Sequence, residues 1–100
     1  MIMVSACLFG VDCKYNGESN RSPELVEALQ NEQVVLICPE QSGGLPTPRP
    51  PCEIVGGDGY DVLKGTARVM NNNGEDLSQA FIKGAQNVAL IAEAVKPDLI

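Results

Sequence analysis

Val34-Val35-Leu36-Ile37, running straight into Cys38-Pro39-Glu40, carries the topology of this chain. The apolar run is continuous, bounded and rich in β-branched side chains, the pattern of a short strand covered on both faces. A central strand has no place for Pro39, so the strand stops at Cys38. Upstream, Met1-Ile2-Met3-Val4-Ser5-Ala6 is a second, mostly apolar run that stops at Cys7. Between the two runs, Ser22-Pro23 opens a helix, with Ser22 as N-cap and Pro23 at the first helical position. Leu25, Val26 and Leu29 recur at helical spacing to about Gln30. Strand, helix and strand in that order predict a right-handed parallel crossover. Ligands of such sheets gather beyond the carboxyl ends of the strands, and Cys7 and Cys38 both fall on that edge.

Further along, Gly43-Gly44-Leu45-Pro46-Thr47-Pro48-Arg49-Pro50-Pro51 excludes helix and central strand, because four prolines in nine residues stiffen it and remove donors. Glu53-Ile54-Val55, Tyr60-Asp61-Val62-Leu63 and Ala67-Arg68-Val69-Met70 alternate with glycine-containing breaks and read as a small β-hairpin excursion. Gly56-Gly57-Asp58-Gly59 lacks the Lys-Ser/Thr ending of a phosphate loop and is not expected to open a helix, so it reads as a hairpin turn. Asn71-Asn72-Asn73-Gly74 is a further turn. A long helix is expected from about Leu77 to Val95, capped by Asp76 or Ser78, with Leu77, Phe81, Ala85, Val88, Ala92 and Val95 as its apolar stripe. Gly84 inside it suggests close packing on the sheet. Pro97 stops the helix, and Asp98-Leu99-Ile100 begins what reads as another strand, which implies a C-terminal continuation. The expectation is one α/β domain over residues 1–100: a three-layer, Rossmann-like parallel sheet with a small hairpin excursion, truncated at its C-terminus.

Composition narrows the function. A formal net charge of −6 with seven basic residues spread along the chain gives no footprint for nucleic acid. No run approaches the ~20 apolar residues of a membrane span, and Met1–Ala6 has no basic region of a signal peptide. A cytoplasmic setting follows, where thiols stay reduced. Four cysteines there are more naturally thiols or metal ligands than staples. The absence of histidine excludes a Ser-His-Asp or Cys-His pair and any His-based zinc site.

Cys7 and Cys13 have five residues between them, which is not a Cys-x-x-Cys motif. Their place in a long loop past a strand favours a ligand or reactive role over packing, with an ordinary loop thiol as the alternative for Cys13. Cys38-Pro39-Glu40 sets a soft ligand beside a carboxylate, and Glu40 is either a proton carrier or a solvated loop glutamate. Cys52, without partners, reads as structural. Gly43 and Gly44 with Thr47 and Arg49 form either an anion or polar-substrate cradle, or a rigid connector with Arg49 on a surface carboxylate. Three thiolates without histidine suit iron–sulfur or another thiophilic metal.

Val4-Ser5-Ala6-Cys7-Leu8-Phe9-Gly10-Val11-Asp12-Cys13-Lys14-Tyr15-Asn16-Gly17, Cys38-Pro39-Glu40 and the glycine–proline run from 43 to 51 resemble a bacterial family, long known only as a domain of unknown function, that includes the thiouracil desulfidases. Gly74-Glu75-Asp76-Leu77, Phe81 and Gly84-Ala85 resemble its pattern too. The resemblance implies a [4Fe-4S] cluster held by Cys7, Cys13 and Cys38, with a fourth iron free to bind the sulfur of a small-molecule thio-substrate. It makes Glu40 the acid–base residue that helps water replace that sulfur. The family pattern continues past position 100 into a strand and a Ser-Pro-Ser-Cys-Gly motif. If that further cysteine is a ligand, Cys13 is the one to leave the set, and residues 1–100 alone would hold no intact cluster. Cys52 stands where the family has a small residue such as Ala. Two other classes compete: a metal- or sulfide-binding module without turnover, and a thiol redox protein, which predicts a reversible disulfide and no iron.

Overall fold

The computed structural model describes residues 1–100. Strand β1 (Ile2–Ser5) pairs in parallel with β2 (Val34–Ile37), Ile2 opposite Val34 and Ser5 opposite Ile37. The helix between them, α1 (Pro23–Ala28), starts where the sequence places it, with the Ser22 Oγ accepting from the Leu25 N–H at 3.3 Å. On its other side β1 meets Leu99: the Met3 N–H donates to the Leu99 carbonyl at 3.0 Å, and Ile2 forms a parallel bridge with Leu99. β1 is thus central. Met3 and Val4, on opposite faces of it, are both buried. β2 is an edge here, and Leu36 is 40% exposed where the sequence pattern predicted cover on both faces. The α/β fold class stands: a small parallel sheet with an antiparallel hairpin beside it.

Each strand gives way at once to helix at its carboxyl end. Ala6–Phe9 forms a single 3-10 turn after β1. Pro39–Ser42, four residues the sequence did not mark as helical, form α2 after β2, with Cys38 as N-cap and Pro39 at the first helical position.

The excursion differs from expectation in one element. β3 (Cys52–Val55) pairs antiparallel with β4 (Arg68–Asn71), but Tyr60–Leu63 is not a strand. It belongs to α3 (Gly59–Lys64), so the glycine run at 56–59, expected to turn a hairpin without opening a helix, leads into one. The cause lies in the residues before it. The Asp58 carboxylate accepts from the Asp61 N–H at 3.1 Å while the Asp61 carboxylate accepts from the Asp58 N–H at 2.9 Å, a reciprocal capping box. Gly65, with φ at 84°, closes the helix in the left-handed conformation. Val62, Ala67 and Val69 make the buried cluster of this unit, with Cys52, Phe81 and Ile82 packed on it.

Helix α4 (Ser78–Val95) is the beam that joins the parts. Its first turn is held by the Asp76 carboxylate, which accepts from the Ser78 N–H at 2.9 Å and the Ser78 Oγ–H at 2.6 Å. Phe81 and Ile82 face the hairpin cluster. Gly84 packs not on the sheet but on α2: a Cβ there would overlap the Pro39 carbonyl oxygen, and one on Gly43 would overlap the Ala80 carbonyl oxygen. Two helices in backbone contact leave no room for a side chain between them. Asn87 Nδ2 donates to the Ser42 carbonyl at 2.8 Å and fixes the same crossing. Ala85, placed in the apolar stripe by spacing, is exposed. No helix is long and apolar enough to cross a membrane.

Candidate functional site

Cys7, Cys13, Cys38 and Glu40 line one cavity of about 280 Å³ together with Arg49. Three separate backbone devices bring them there. Cys7 sits in the 3-10 turn that caps β1, and its carbonyl accepts from the Gly10 and Asn20 N–H groups, at 3.3 and 3.0 Å. Cys38 ends β2 and caps α2, which sets Glu40 one turn into the cavity wall. Cys13 comes from the loop between, folded inward until only 2% of it is exposed. Its carbonyl is a shared acceptor, taking the Cys38 Sγ–H at 3.8 Å and Arg49 Nη2–H at 2.9 Å.

All four cysteines are free thiols. The Cys13 thiol is pushed up to about 11 by burial first, then by its hydrogen bond with Cys38 and by the charges that Cys38 and Cys7 would carry; Arg49 opposes the shift. A buried thiol that resists ionisation is what a bound cation would relieve, since a thiolate is the ligand form. No three His, Cys, Asp or Glu side chains converge tightly enough to grip a single ion. A four-iron cluster asks instead for thiolates at separate corners of a cavity. The donor set, three soft sulfurs around one space and no histidine, fits such a cluster. Cys52 lies apart in β3, with its thiol donating to the Pro50 carbonyl at 3.8 Å and its titration pushed up by burial.

Of the cradle expected from Gly43, Gly44, Thr47 and Arg49, only Arg49 lines the cavity. The Gly43 N–H donates to the Pro39 and Glu40 carbonyls and the Gly44 N–H to the Gln41 carbonyl, so both are taken up by the end of α2. The Thr47 hydroxyl accepts from Gln41 Nε2 at 2.7 Å and Arg49 Nη1 at 3.0 Å. Arg49 lies on a carboxylate, as the connector reading has it, but that carboxylate is Glu40 and the guanidinium is buried. Sequence reasoning missed Lys14 and Tyr15, which also line the cavity. Their place directly after Cys13 was the available signal.

Comparison with known proteins agrees with the motifs. YbbK, an uncharacterized protein of Bacillus subtilis (strain 168), is 39% identical over 100 residues, all of this chain and 66% of its own length. A solved structure described as TudS, a [4Fe-4S]-dependent thiouracil desulfidase, superposes with a TM-score of 0.76 at 35% identity, covering 96% of this chain and 58% of that one. The chain therefore spans about three-fifths to two-thirds of the length of these relatives. The family model described as 2-thiouracil desulfurase matches residues 2–100, and the chain belongs to that family.

Proposed function

We propose that this chain supplies the cluster-holding and proton-handling part of a [4Fe-4S]-dependent desulfidase, which exchanges the sulfur of a thiocarbonyl small molecule such as a thiouracil for oxygen. The convergence of Cys7, Cys13 and Cys38 with Glu40 on one cavity carries this reading. The three thiolates would hold the cluster, and when bound it supplies an iron without a protein ligand, open to a sulfur atom of the substrate. Glu40 works on the water. One carboxylate oxygen, Oε2, is held by Arg49 Nε at 2.5 Å, which leaves Oε1 for a proton. Oε1 takes a proton as the water oxygen bonds to the thiocarbonyl carbon. The carbon–sulfur bond then breaks, and sulfur departs as sulfide with the protons released. Water and the thiocarbonyl become a carbonyl and hydrogen sulfide, with no net oxidation.

The thiol redox reading asks for an accessible thiol of lowered pKa. Cys13 has the opposite character, buried and pushed up to about 11. Reduced thiols around a metal suit the cytoplasm. Anaerobic reconstitution of the full-length protein is expected to give bound iron, sulfide and charge-transfer absorbance, and the loaded protein to release uracil from 2-thiouracil. Glu40→Ala should lower turnover by about 10²–10⁴-fold, the usual worth of a general acid or base, and keep the cluster. Protein that takes up neither iron nor sulfide would end the reading, whereas a loaded cluster without uracil release would leave a binding module.

A further inference from the structure

We propose that Arg49 is a positioning residue: its buried guanidinium ties the Glu40 carboxylate to the loop that carries Cys13, and it is not a substrate contact. This rests on the reading of Glu40 and Cys13 given above.

The side chain of Arg49 is 3% exposed, a burial that a charged group tolerates only with its donors and its charge both answered. Every guanidinium nitrogen is engaged within the protein. Nε donates to Glu40 Oε2 at 2.5 Å, and Nη2 to the Cys13 carbonyl at 2.9 Å. Nη1 donates to the Pro46 carbonyl at 3.1 Å and Thr47 Oγ1 at 3.0 Å. The backbone adds a fifth bond, because the Arg49 N–H donates to the Tyr15 carbonyl at 2.6 Å. One residue thus reaches the two elements the site needs in register, the loop at 13–15 and the helix that carries Glu40.

The geometry also says why arginine stands here. A planar guanidinium presents its donors in a fixed fork, so Glu40 Oε2 and the Cys13 carbonyl are held at a set separation. A lysine ammonium is a point charge on a flexible stem and can neutralise Glu40 without spanning to Cys13. With Oε2 fixed, Glu40 stays 37% exposed on its other side, where a proton can be exchanged. A substrate reaching for Arg49 would first have to displace one of these partners.

Two readouts test this. In the metal-free chain, thiol alkylation followed by mass spectrometry gives the labelling rate of each cysteine. Arg49→Gln is expected to speed labelling of Cys13 by about tenfold or more, the loss of one charge-assisted hydrogen bond. Glu40→Gln, which keeps the bond from Arg49 to the Cys13 carbonyl, should leave Cys13 slow. In the iron-loaded protein acting on 2-thiouracil, Arg49→Lys is expected to lower kcat about tenfold with KM within about twofold. Unchanged Cys13 protection in Arg49→Gln would overturn the proposal, as would a raised KM with kcat intact in Arg49→Lys. A parent protein without turnover would remove the desulfidase reading, while the labelling result would still decide whether Arg49 holds the loop. Should Arg49→Gln fail to fold, Arg49→Lys carries the labelling measurement with the same two outcomes.

Discussion

Around the cysteines, order comes from directed bonds: a buried guanidinium with four acceptors, two side-chain oxygens and two backbone carbonyls, a carbonyl shared by two donors, and two helices touching backbone to backbone. Around the β3–β4 hairpin it comes from apolar contact, with Val62, Ala67 and Val69 buried and Phe81 and Ile82 laid over them. Directed bonds hold atoms at set distances, which chemistry requires. Apolar contact stabilises without fixing such distances, since it is non-directional. The two regions share α4, so the hairpin serves as the mass against which the site is braced.

The largest effect on the site itself is expected where it is braced. On helix propensity alone, Gly84→Ala would stabilise α4 by about 1 kcal/mol. The new Cβ meets the Pro39 carbonyl, a backbone atom that cannot yield without moving Cys38 and Glu40. Overpacking of this kind costs about 1–3 kcal/mol or more, so the net sign is destabilising. A lowered thermal midpoint together with lost iron uptake is the expected outcome. An unchanged midpoint would mean that α2 is not braced by α4.

Next come the two apolar centres. Met3→Ala at the sheet should cost about 2–5 kcal/mol, and Val69→Ala at the hairpin about 2–3 kcal/mol, from lost transfer energy plus the cavity left behind. Amide hydrogen exchange decides how far the regions are independent. If the hairpin opens by itself, Val69→Ala speeds exchange in β3 and β4 and leaves β1 protected. Faster exchange throughout would make them one cooperative unit.

The smallest effect is electrostatic. Asp76 titrates below the usual carboxylate range, because Ser78 donates to it through its hydroxyl and its backbone N–H; Arg68 adds a weaker pull. A carboxyl whose folded pKa is lowered adds stability that is present above its unfolded value, near 3.8, and is lost as pH falls through the folded value. Asp76→Asn should therefore unfold at lower temperature than the parent at neutral pH, with the gap closing in acid. A gap independent of pH would assign the effect to cap geometry alone.

Much of this was legible in the residues. The apolar runs stopping at Cys7 and Cys38 placed both thiols on one sheet edge, and Ser22-Pro23 set the helix start, because these signals are local and unopposed. Tyr60–Leu63 was misread because period-two alternation over four residues resembles one helical turn, and the capping pair Asp58 and Asp61 decided between them. Gly84 announced close packing but not its partner, since α2 is too short to show in periodicity. The role of Arg49 was hidden for a different reason. Composition cannot tell whether a guanidinium in a proline-rich run faces outward or is spent on the protein's own carbonyls.

The apolar side of the comparison has one more consequence. Between the hairpin, α3 and α4 runs an open groove of about 660 Å³, lined by Ile54, Tyr60, Leu63, Phe81, Ile82 and Ala85. Tyr60 is 75% and Leu63 62% exposed. Dyes such as ANS, whose brightening is read as the mark of a loosened, partly folded state, would find a place on the intact native chain. Fluorescence from such a dye would therefore report the shape of α3 on α4 rather than any loss of order.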